Sequence, residues 1–347
     1  MKDNKNLYSG NKLLKHLDKL SAWQKGEIFY PINVDFDLTN ACNNKCPRCM
    51  FRDSLDGTRV DTDKALSLVS EFARLGVKSV IYQGGGEPTC HPDFEQILRF
   101  TKEKGLEVGV STNGYEVSSS TLDAIVDCCE WIRISLDASN PQSYQITHGM
   151  TGDSFNKVLR NIKALVNSRN KKQSNLIIGI GYLVGPKTID GISDAARIVK
   201  ELGADYIRFR PFNYQRFDEY QVRRTKEQLT SAAALSDESF EASFRTEWLE
   251  EIEKGRPRPY CVCYVPHFTT SITSNLKMYP CCVLKDKPET SIGNLNKNSF
   301  EEVWNSEKRR NAHKSIDLTK CPNPCQFERA NDILLAIQEE IKHENFL

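Results

Sequence analysis

The chain has 347 residues, 39% of them hydrophobic and 27% charged, which is enough for one large domain and a smaller one. Lysine and arginine (47 residues) nearly balance aspartate and glutamate (46), so the net charge supplies no long-range attraction and disfavours nucleic acid as a partner. The sequence has neither a signal peptide nor 18 consecutive apolar residues, which predicts a cytoplasmic protein without a membrane partner.

Residues 1–31 are polar and rich in lysine, and we predict a helical extension there. From 32 to 215, apolar strand-like runs alternate with helix-like segments. Six strands are predicted, at 32–38, 78–83, 107–111, 131–136, 176–183 and 206–209. Helical periodicity lies between them, for example at 64–75 and 155–166. The alternation predicts an α/β fold with a parallel sheet, in which ligand-binding residues follow the C-terminal ends of the strands.

Three cysteines follow the first predicted strand, and they are Cys42, Cys46 and Cys49 in the pattern C-x3-C-x2-C. The chain has twelve cysteines, and in a cytosolic protein of this size that number favours metal ligation or redox chemistry over disulfides. An iron–sulfur cube needs four ligands, so three cysteines leave one iron open for a bound molecule. A zinc site is the alternative.

A run of three glycines follows the second predicted strand, and Glu87 comes directly after Gly84, Gly85 and Gly86. Glycines let the backbone approach a ligand closely, and a carboxylate beyond them can accept hydrogen bonds from an ammonium group. An ordinary turn is the alternative interpretation of this run.

Small polar side chains follow the third and fourth predicted strands at the same rim of the sheet. They are Ser111, Asn113, Ser135 and Asp137. Such groups can bind a polar ligand, and they can equally cap the next helix or turn. At the fifth strand, Gly179 and Gly181 permit either close packing of a ligand or a strand bulge.

The cysteine loop and the glycine motif at the ends of two successive strands resemble the radical S-adenosylmethionine (SAM) superfamily, over about residues 32–325. The resemblance implies a partial (β/α)6 TIM-like barrel and a catalytic 4Fe-4S cluster on the three cysteines, with SAM bound to the open iron. It also implies that an electron cleaves SAM to a 5'-deoxyadenosyl radical, which abstracts a hydrogen atom from the substrate.

The same resemblance assigns contacts to SAM. Gly85, Gly86 and Glu87 would bind the methionine amino group, and the four polar strand-end residues would bind its carboxylate and ribose. Arg48 departs from the family, because an aromatic residue that packs on adenine is common before the third cysteine. Met50 or Phe51 could take over that contact.

The rest of the chain is predicted as a charged helical connection at 216–256, a cysteine-rich module at 257–326 and a C-terminal helix at 327–347. Within the module we predict short strands at 269–273 and 276–279, and a helix with a capping box of Ser299 and Glu302. This module resembles the twitch form of the SPASM extension, although Leu276 stands where that family has a glycine.

The SPASM resemblance implies an auxiliary 4Fe-4S cluster bound by Cys263, Cys281, Cys321 and Cys325, with Cys261 and Cys282 as spare neighbours. A four-cysteine zinc site is the alternative, since four thiolates suit either metal. Three further cysteines fit neither cluster: Cys90, Cys128 and Cys129. We predict the last two to be small buried apolar residues at the end of a helix.

The reaction class depends on the fate of the substrate radical once the hydrogen atom has been removed. Electron transfer to the auxiliary cluster would give oxidation, and hydrogen return from a thiol such as Cys261 or Cys282 would give epimerisation, unless both thiols are inert. Only about 30 residues precede the barrel, too few for a leader-binding domain, which predicts a small-molecule substrate such as a sugar, aminocyclitol or nucleotide derivative. Arg208 and Arg210 near the expected cavity mouth suit a phosphorylated or carboxylated substrate, or are simply solvated.

Two other hypotheses remain open from the sequence. One is a maturase that modifies a peptide or protein. The other is a non-catalytic iron–sulfur or zinc protein that never consumes SAM. A catalytic function also requires a reductant such as flavodoxin or ferredoxin.

Overall fold

The structure is a computed structural model that describes residues 10–212, 217–244, 258, 260–285, 287–322 and 325–339. The strands within these residues are β1 (Asn33–Phe36), β2 (Ser79–Tyr82), β3 (Glu107–Thr112), β4 (Trp131–Ser135), β5 (Ile177–Val184), β6 (Tyr206–Pro211), β7 (Glu241–Ser243), β8 (Thr269–Ile272), β9 (Lys277–Tyr279) and β10 (Gly293–Asn294). They form one sheet in the order β10-β9-β8-β1-β2-β3-β4-β5-β6-β7. All neighbours from β8 to β7 are parallel, whereas β9 and β10 are antiparallel additions.

Strands β1 to β6 are the six predicted strands, and two further strands extend their parallel arrangement: β7, and β8, which was predicted as a short strand at 269–273. Strand β7 lies in the segment predicted as a helical connection, and it pairs with β6. Strand β8 belongs to the cysteine-rich module, and it pairs with β1 from Asn33 opposite Thr269 to Phe36 opposite Ile272. The sheet therefore runs without interruption from the barrel-like core into the cysteine-rich module.

The helices in the described residues are α1 (Leu17–Gln24), α2 (Thr62–Arg74), α3 (Phe94–Glu103), α4 (Ser119–Cys128), α5 (Pro141–His148), α6 (Ser154–Lys172), α7 (Ile192–Leu202), α8 (Glu219–Ala233), α9 (Phe300–Trp304), α10 (Glu307–Arg310), α11 (Ala312–Ser315) and α12 (Glu328–Gln338). The predicted C-terminal helix corresponds to α12, and its predicted continuation over 340–347 lies outside the described residues, as do residues 1–9 and 213–216. Helix α8 forms the first part of the predicted helical connection, whose residues 245–256 also lie outside the described residues. No helix in the described part of the chain combines the length and apolar character needed to cross a bilayer.

Side chains of β1 alternate between two environments because successive residues of a strand point to opposite faces. Val34 and Phe36 are fully buried in the hydrophobic core, where Phe36 packs edge-on against Phe72 of α2. Asp35 and Asp37 occupy the opposite face and are also buried, at 3% and 1% exposure. The inner face of the curved sheet therefore carries charged groups close to the predicted site.

The turn between β8 and β9 shows how the module accommodates its unusual residue. Leu276 adopts a left-handed backbone conformation with φ of 61°. That conformation costs little for glycine but is strained for leucine. Burial of the Leu276 side chain in the hydrophobic core offsets part of this strain.

Helix α9 attaches the module to the core, and the predicted capping box is present at its start. Ser299 Oγ accepts a hydrogen bond from Glu302 N at 3.1 Å, and Glu302 Oε2 accepts one from Ser299 N at 2.8 Å. The helix buries Phe300 and Trp304. We expect Ser299→Ala to lower the free energy of unfolding by about 1 kcal/mol, because a helix N–H loses its acceptor. Urea denaturation of the variant would measure this, and an unchanged midpoint would contradict a stabilising cap.

Candidate active site

The loop that carries the first three cysteines is closed at its base by backbone pairing. Thr39 and Arg59 form an antiparallel bridge, and Asn40 N donates to Thr58 O at 2.7 Å. Val60 N donates to Leu38 O at 2.9 Å. The cysteine loop thus leaves and rejoins the core at one point beside the C-terminal end of β1.

The structure brings the three thiols of this loop together. Cys42, Cys46 and Cys49 lie within electrostatic reach of one another. Burial raises the pKa of Cys46 to about 12, and the neighbouring Cys42 and Cys49 contribute to that rise. Since a metal ligand must be a thiolate, this loop needs bound positive charge to hold its cysteines deprotonated.

The glycine run is in direct contact with the cysteine loop. Gly86 N donates to Thr39 O at 2.9 Å, and Glu87 N donates to Ala41 O at 2.8 Å. A Cβ on Gly86 would lie 2.1 Å from Ala41 O, far inside van der Waals contact. The glycines therefore allow the glycine loop to pack directly against the cysteine loop. From the sequence, we predicted only that they would contact a ligand.

Glu87 is buried at 3% exposure and is held by protein donors. Its Oε1 accepts from Thr112 Oγ1 at 2.6 Å and Thr89 Oγ1 at 3.0 Å, and its Oε2 accepts from Asn113 N at 2.7 Å. Burial raises the pKa of Glu87, and these hydrogen bonds oppose the rise. An ionised carboxylate offers about four lone-pair sites, so Oε2 retains capacity for one further donor.

Asn113 and Ser111, two of the other predicted ligand-binding residues, also have protein partners. Asn113 Nδ2 donates to Asn43 Oδ1 at 2.7 Å, next to Cys42, and Arg133 Nη2 donates to Ser111 Oγ at 2.8 Å. Ser135 ends β4. These contacts gather the predicted residues along the C-terminal rim of β2 to β5, beside the cysteine loop.

Asp137 follows β4 in a conformation that few residues adopt, with φ of 45°. Its Oδ1 accepts a hydrogen bond from Leu183 N at 2.6 Å. Burial raises the pKa of Asp137 to about 6, while the Leu183 N–H, Arg210 and Arg133 act in the opposite direction. The Asp137 carboxylate thus places negative charge near the cysteine loop, and it contributes to the raised pKa of Cys46.

Some buried polar atoms beside the cysteine loop have no hydrogen-bond partner among the described residues. They are Asn43 Nδ2 and polar atoms of the Asn44 side chain, which lies beside the Tyr144 hydroxyl. A buried polar group without a partner costs about 1–3 kcal/mol, so several in one place indicate a site completed by a ligand. Together with three convergent thiols and a free acceptor on Glu87, they fit the cluster and SAM that the resemblance implies.

Tyr144 and His148 of α5 were not identified from the sequence, because neither belongs to a motif. Their rings stack at 4.2 Å between centroids, and His148 O accepts a hydrogen bond from Lys45 N at 3.1 Å. Burial lowers the pKa of His148 to about 4. Helix α5 thus supports the cysteine loop with an uncharged histidine.

This histidine makes the stability of the protein dependent on pH. An unfolded histidine titrates near 6.5, so between pH 6.5 and about 4 the unfolded chain binds more protons and stability falls as the pH falls. We expect His148→Phe, which keeps the stacked ring, to lose less stability than wild type between pH 7 and 5. Urea midpoints at the two pH values measure this, and equal losses would contradict it.

The four cysteines predicted as auxiliary ligands line one small cavity. Cys263, Cys281, Cys321 and Cys325 surround it, with Arg258 and Leu318 among the other lining residues. Burial raises the pKa of Cys263 to about 12, with Cys325 and Cys321 contributing to the rise. Among the described residues no group of three or more His, Cys, Asp or Glu is compact enough to hold a single metal ion. Four thiols around a shared cavity are the arrangement that an iron–sulfur cluster requires.

The remaining cysteines occupy different surroundings. Cys261 is exposed, and Cys282 lies near Asp35 on the inner wall of the sheet. Cys128 and Cys129 are buried in the core at the end of α4, as predicted. Cys90 is half-buried at the end of a short 3-10 helix after Glu87.

Comparisons with known proteins agree with this geometry. Residues 36–203 match the family model of the radical SAM superfamily, and residues 261–326 match that of the SPASM iron–sulfur cluster-binding domain. The AdoMet-dependent heme synthase of Methanosarcina barkeri is 24% identical over 332 residues, which cover 86% of this chain and 89% of that protein. The PqqA peptide cyclase of Gluconobacter oxydans is 21% identical over 304 residues, which cover 85% and 82%.

A solved structure shares the fold. SuiB from Streptococcus suis bound to S-adenosylmethionine superposes with a TM-score of 0.67 at 16% identity, covering 95% of this chain and 79% of that one. The likeness spans both the core and the module, so the predicted α/β fold with a C-terminal iron–sulfur module is confirmed.

Proposed function

The chain belongs to the radical SAM superfamily and carries a SPASM domain, and from this premise we propose that it is a maturase that removes a hydrogen atom from a peptide or protein. The observation that supports a catalytic function is the contact between the cysteine loop and the glycine loop, which is made through the Thr39–Gly86 and Ala41–Glu87 hydrogen bonds. This docking brings the cysteine loop beside the carboxylate of Glu87.

When bound, the 4Fe-4S cluster and SAM supply a 5'-deoxyadenosyl radical, which is the hydrogen-abstracting species of the superfamily. We assign Cys42, Cys46 and Cys49 to the cluster and the open acceptor of Glu87 to the SAM ammonium group. Cys263, Cys281, Cys321 and Cys325 would hold the auxiliary cluster. The inner wall then has to orient one C–H bond and exclude water from it.

The comparisons favour a different class of substrate from the small molecule predicted from the sequence. The PqqA peptide cyclase of Gluconobacter oxydans aligns over 85% of this chain. Its name places its chemistry on a peptide. An alignment that includes both the core and the cysteine-rich module favours the peptide hypothesis over the sugar, aminocyclitol or nucleotide derivatives.

A small-molecule substrate remains the second candidate because of two observations. The heme synthase of Methanosarcina barkeri aligns over 86% of this chain. In addition, Arg208 and Arg210 lie on the inner face of β6, since the intervening Phe209 is buried in the core. Arginines in such a place can bind carboxylate groups, which both an iron-porphyrin and an acidic peptide carry.

The test is to reconstitute the protein anaerobically with iron and sulfide, add SAM and a strong reductant, and quantify 5'-deoxyadenosine by mass spectrometry. We expect one class of added compound, short precursor-type peptides, to stimulate its formation. A deuterated peptide that stimulates should transfer deuterium into 5'-deoxyadenosine, which would demonstrate direct abstraction.

Each outcome distinguishes the hypotheses. Stimulation by an iron-porphyrin that carries carboxylate groups, but by no peptide, would replace the maturase with the small-molecule enzyme. If fully clustered protein formed no 5'-deoxyadenosine under any condition, the non-catalytic hypothesis would take precedence.

A further inference from the structure

Lys285 is a buried lysine that belongs to none of the sequence motifs described above. Its side chain is 3% exposed, and its ammonium group binds both carboxylate oxygens of Asp37, each at 2.7 Å. The same ammonium donates to Gly84 O at 3.2 Å and lies 4.7 Å from the centre of the Phe51 ring. One charged group therefore contacts three separate segments.

All three segments belong to the proposed SAM site. Asp37 lies at the end of β1, two residues before Thr39, which accepts the hydrogen bond from Gly86. Gly84 is the first residue of the glycine loop, and Phe51 follows Cys49 by two residues. Lys285 thus holds the glycine loop at its first residue, while the Thr39 and Ala41 carbonyls hold its other end.

Lys285 itself belongs to the cysteine-rich module. It follows Cys281 by four residues, and Leu284 N donates to Cys281 O at 3.1 Å, which closes the intervening segment into a tight turn. Cys281 lines the auxiliary-cluster cavity. A short and hydrogen-bonded turn therefore connects an auxiliary ligand to the ammonium group at the SAM site.

We propose that Lys285 is a positioning residue that couples the auxiliary cluster to SAM binding. When the cluster fixes Cys281, the turn places the ammonium group on Asp37 and Gly84, and the glycine loop is held ready for SAM. Because coupling between two binding events is reciprocal, SAM also stabilises the auxiliary cluster. The inference rests on the proposed SAM site.

A buried ion pair with no such role would behave differently. Removing one partner of any buried pair leaves an uncompensated charge, which destabilises the protein whatever else the pair does. Removing both charges relieves that cost. The hydrogen bond to Gly84 O, however, is lost in either case, so SAM affinity separates a positioning role from a purely structural one.

The experiment measures the dissociation constant of SAM by equilibrium dialysis on anaerobically reconstituted protein. We expect Lys285→Met to weaken SAM binding by about tenfold or more, as is typical for loss of a hydrogen bond from a charged group. The matched control is Lys297→Met, an exposed lysine of the same module, which should bind SAM like wild type. Iron content is measured in parallel.

Two double variants complete the test. Asp37→Asn with Lys285→Met should recover stability to urea but not SAM affinity, and recovery of both would overturn the inference. Cys325→Ala, which removes an auxiliary ligand, should weaken SAM binding by a similar factor, and adding Lys285→Met should cause little further loss. Fully multiplicative losses would overturn the coupling. Failure of wild type itself to bind SAM would instead overturn the proposed site, and the inference with it.

Discussion

Cys46→Ala is expected to abolish formation of 5'-deoxyadenosine, lowering its rate by at least about a thousandfold, because a three-thiolate site cannot retain its cluster on two ligands. Cys46 is the central thiol of the loop and lies within electrostatic reach of Cys42, Cys49 and Asp137. Iron should fall from about eight atoms per chain to about four, since the auxiliary cluster keeps all its ligands. Mass spectrometry of 5'-deoxyadenosine and a colorimetric iron assay measure the two effects.

A cysteine elsewhere in the fold provides the control. Cys128 is buried at the end of α4 within the hydrophobic core. Cys128→Ala should retain the full iron content and most of the activity, with only a modest loss of stability. Equal loss of iron in both variants would mean that overall destabilisation, and not ligation, explains the effect of Cys46→Ala.

Gly86→Ala is expected to separate the two loops of the site. The added Cβ would lie 2.1 Å from Ala41 O and 2.6 Å from Asn40 C, and both are backbone atoms that cannot rotate away. Overpacking of this kind costs about 1–3 kcal/mol, and here the strain falls on the hydrogen bonds that dock the glycine loop on the cysteine loop. We expect SAM affinity to fall by at least about tenfold and 5'-deoxyadenosine formation by about a hundredfold, since about 1.4 kcal/mol is a factor of ten.

Gly185→Ala is the matched control, because a Cβ there would meet only Phe212 Cβ at 3.8 Å, an ordinary contact. This variant should bind SAM like wild type. Wild-type SAM affinity in Gly86→Ala would show that the two loops are not held by their close approach.

The parts of the site that sequence reasoning located have local signals. Cys42, Cys46 and Cys49 stand within eight residues, and their spacing alone indicates a shared metal centre. Helix α2 is visible from its apolar periodicity, and the structure shows that it begins earlier, after Asp61, whose carboxylate accepts a hydrogen bond from Lys64 N at 3.2 Å. The four auxiliary cysteines required a resemblance as well, because Cys281 and Cys321 are 40 residues apart.

The parts of the fold and site that could not be located from the sequence depend on partners that are far away along the chain. Lys285 and Asp37 are separated by 248 residues, and nothing near Lys285 in the sequence distinguishes it from an exposed lysine. Strand β7 has only three residues, and pairing with β6 decides its conformation more than its own propensity does. The partners of Glu87 were missed because a motif identifies a residue but not which protein donors surround it.

The pairing of β8 with β1 has a consequence for how the chain folds. Asp35 and Ser271 lie 236 residues apart, yet they are neighbours in the sheet. During synthesis the edge of β1 stays unpaired until the ribosome has released residue 272, and non-local contacts of this kind form slowly. The unpaired edge of a strand can form hydrogen bonds with other chains, which leads to aggregation. We therefore expect nascent chains to be most prone to aggregate before residues 269–272 are available to pair with β1.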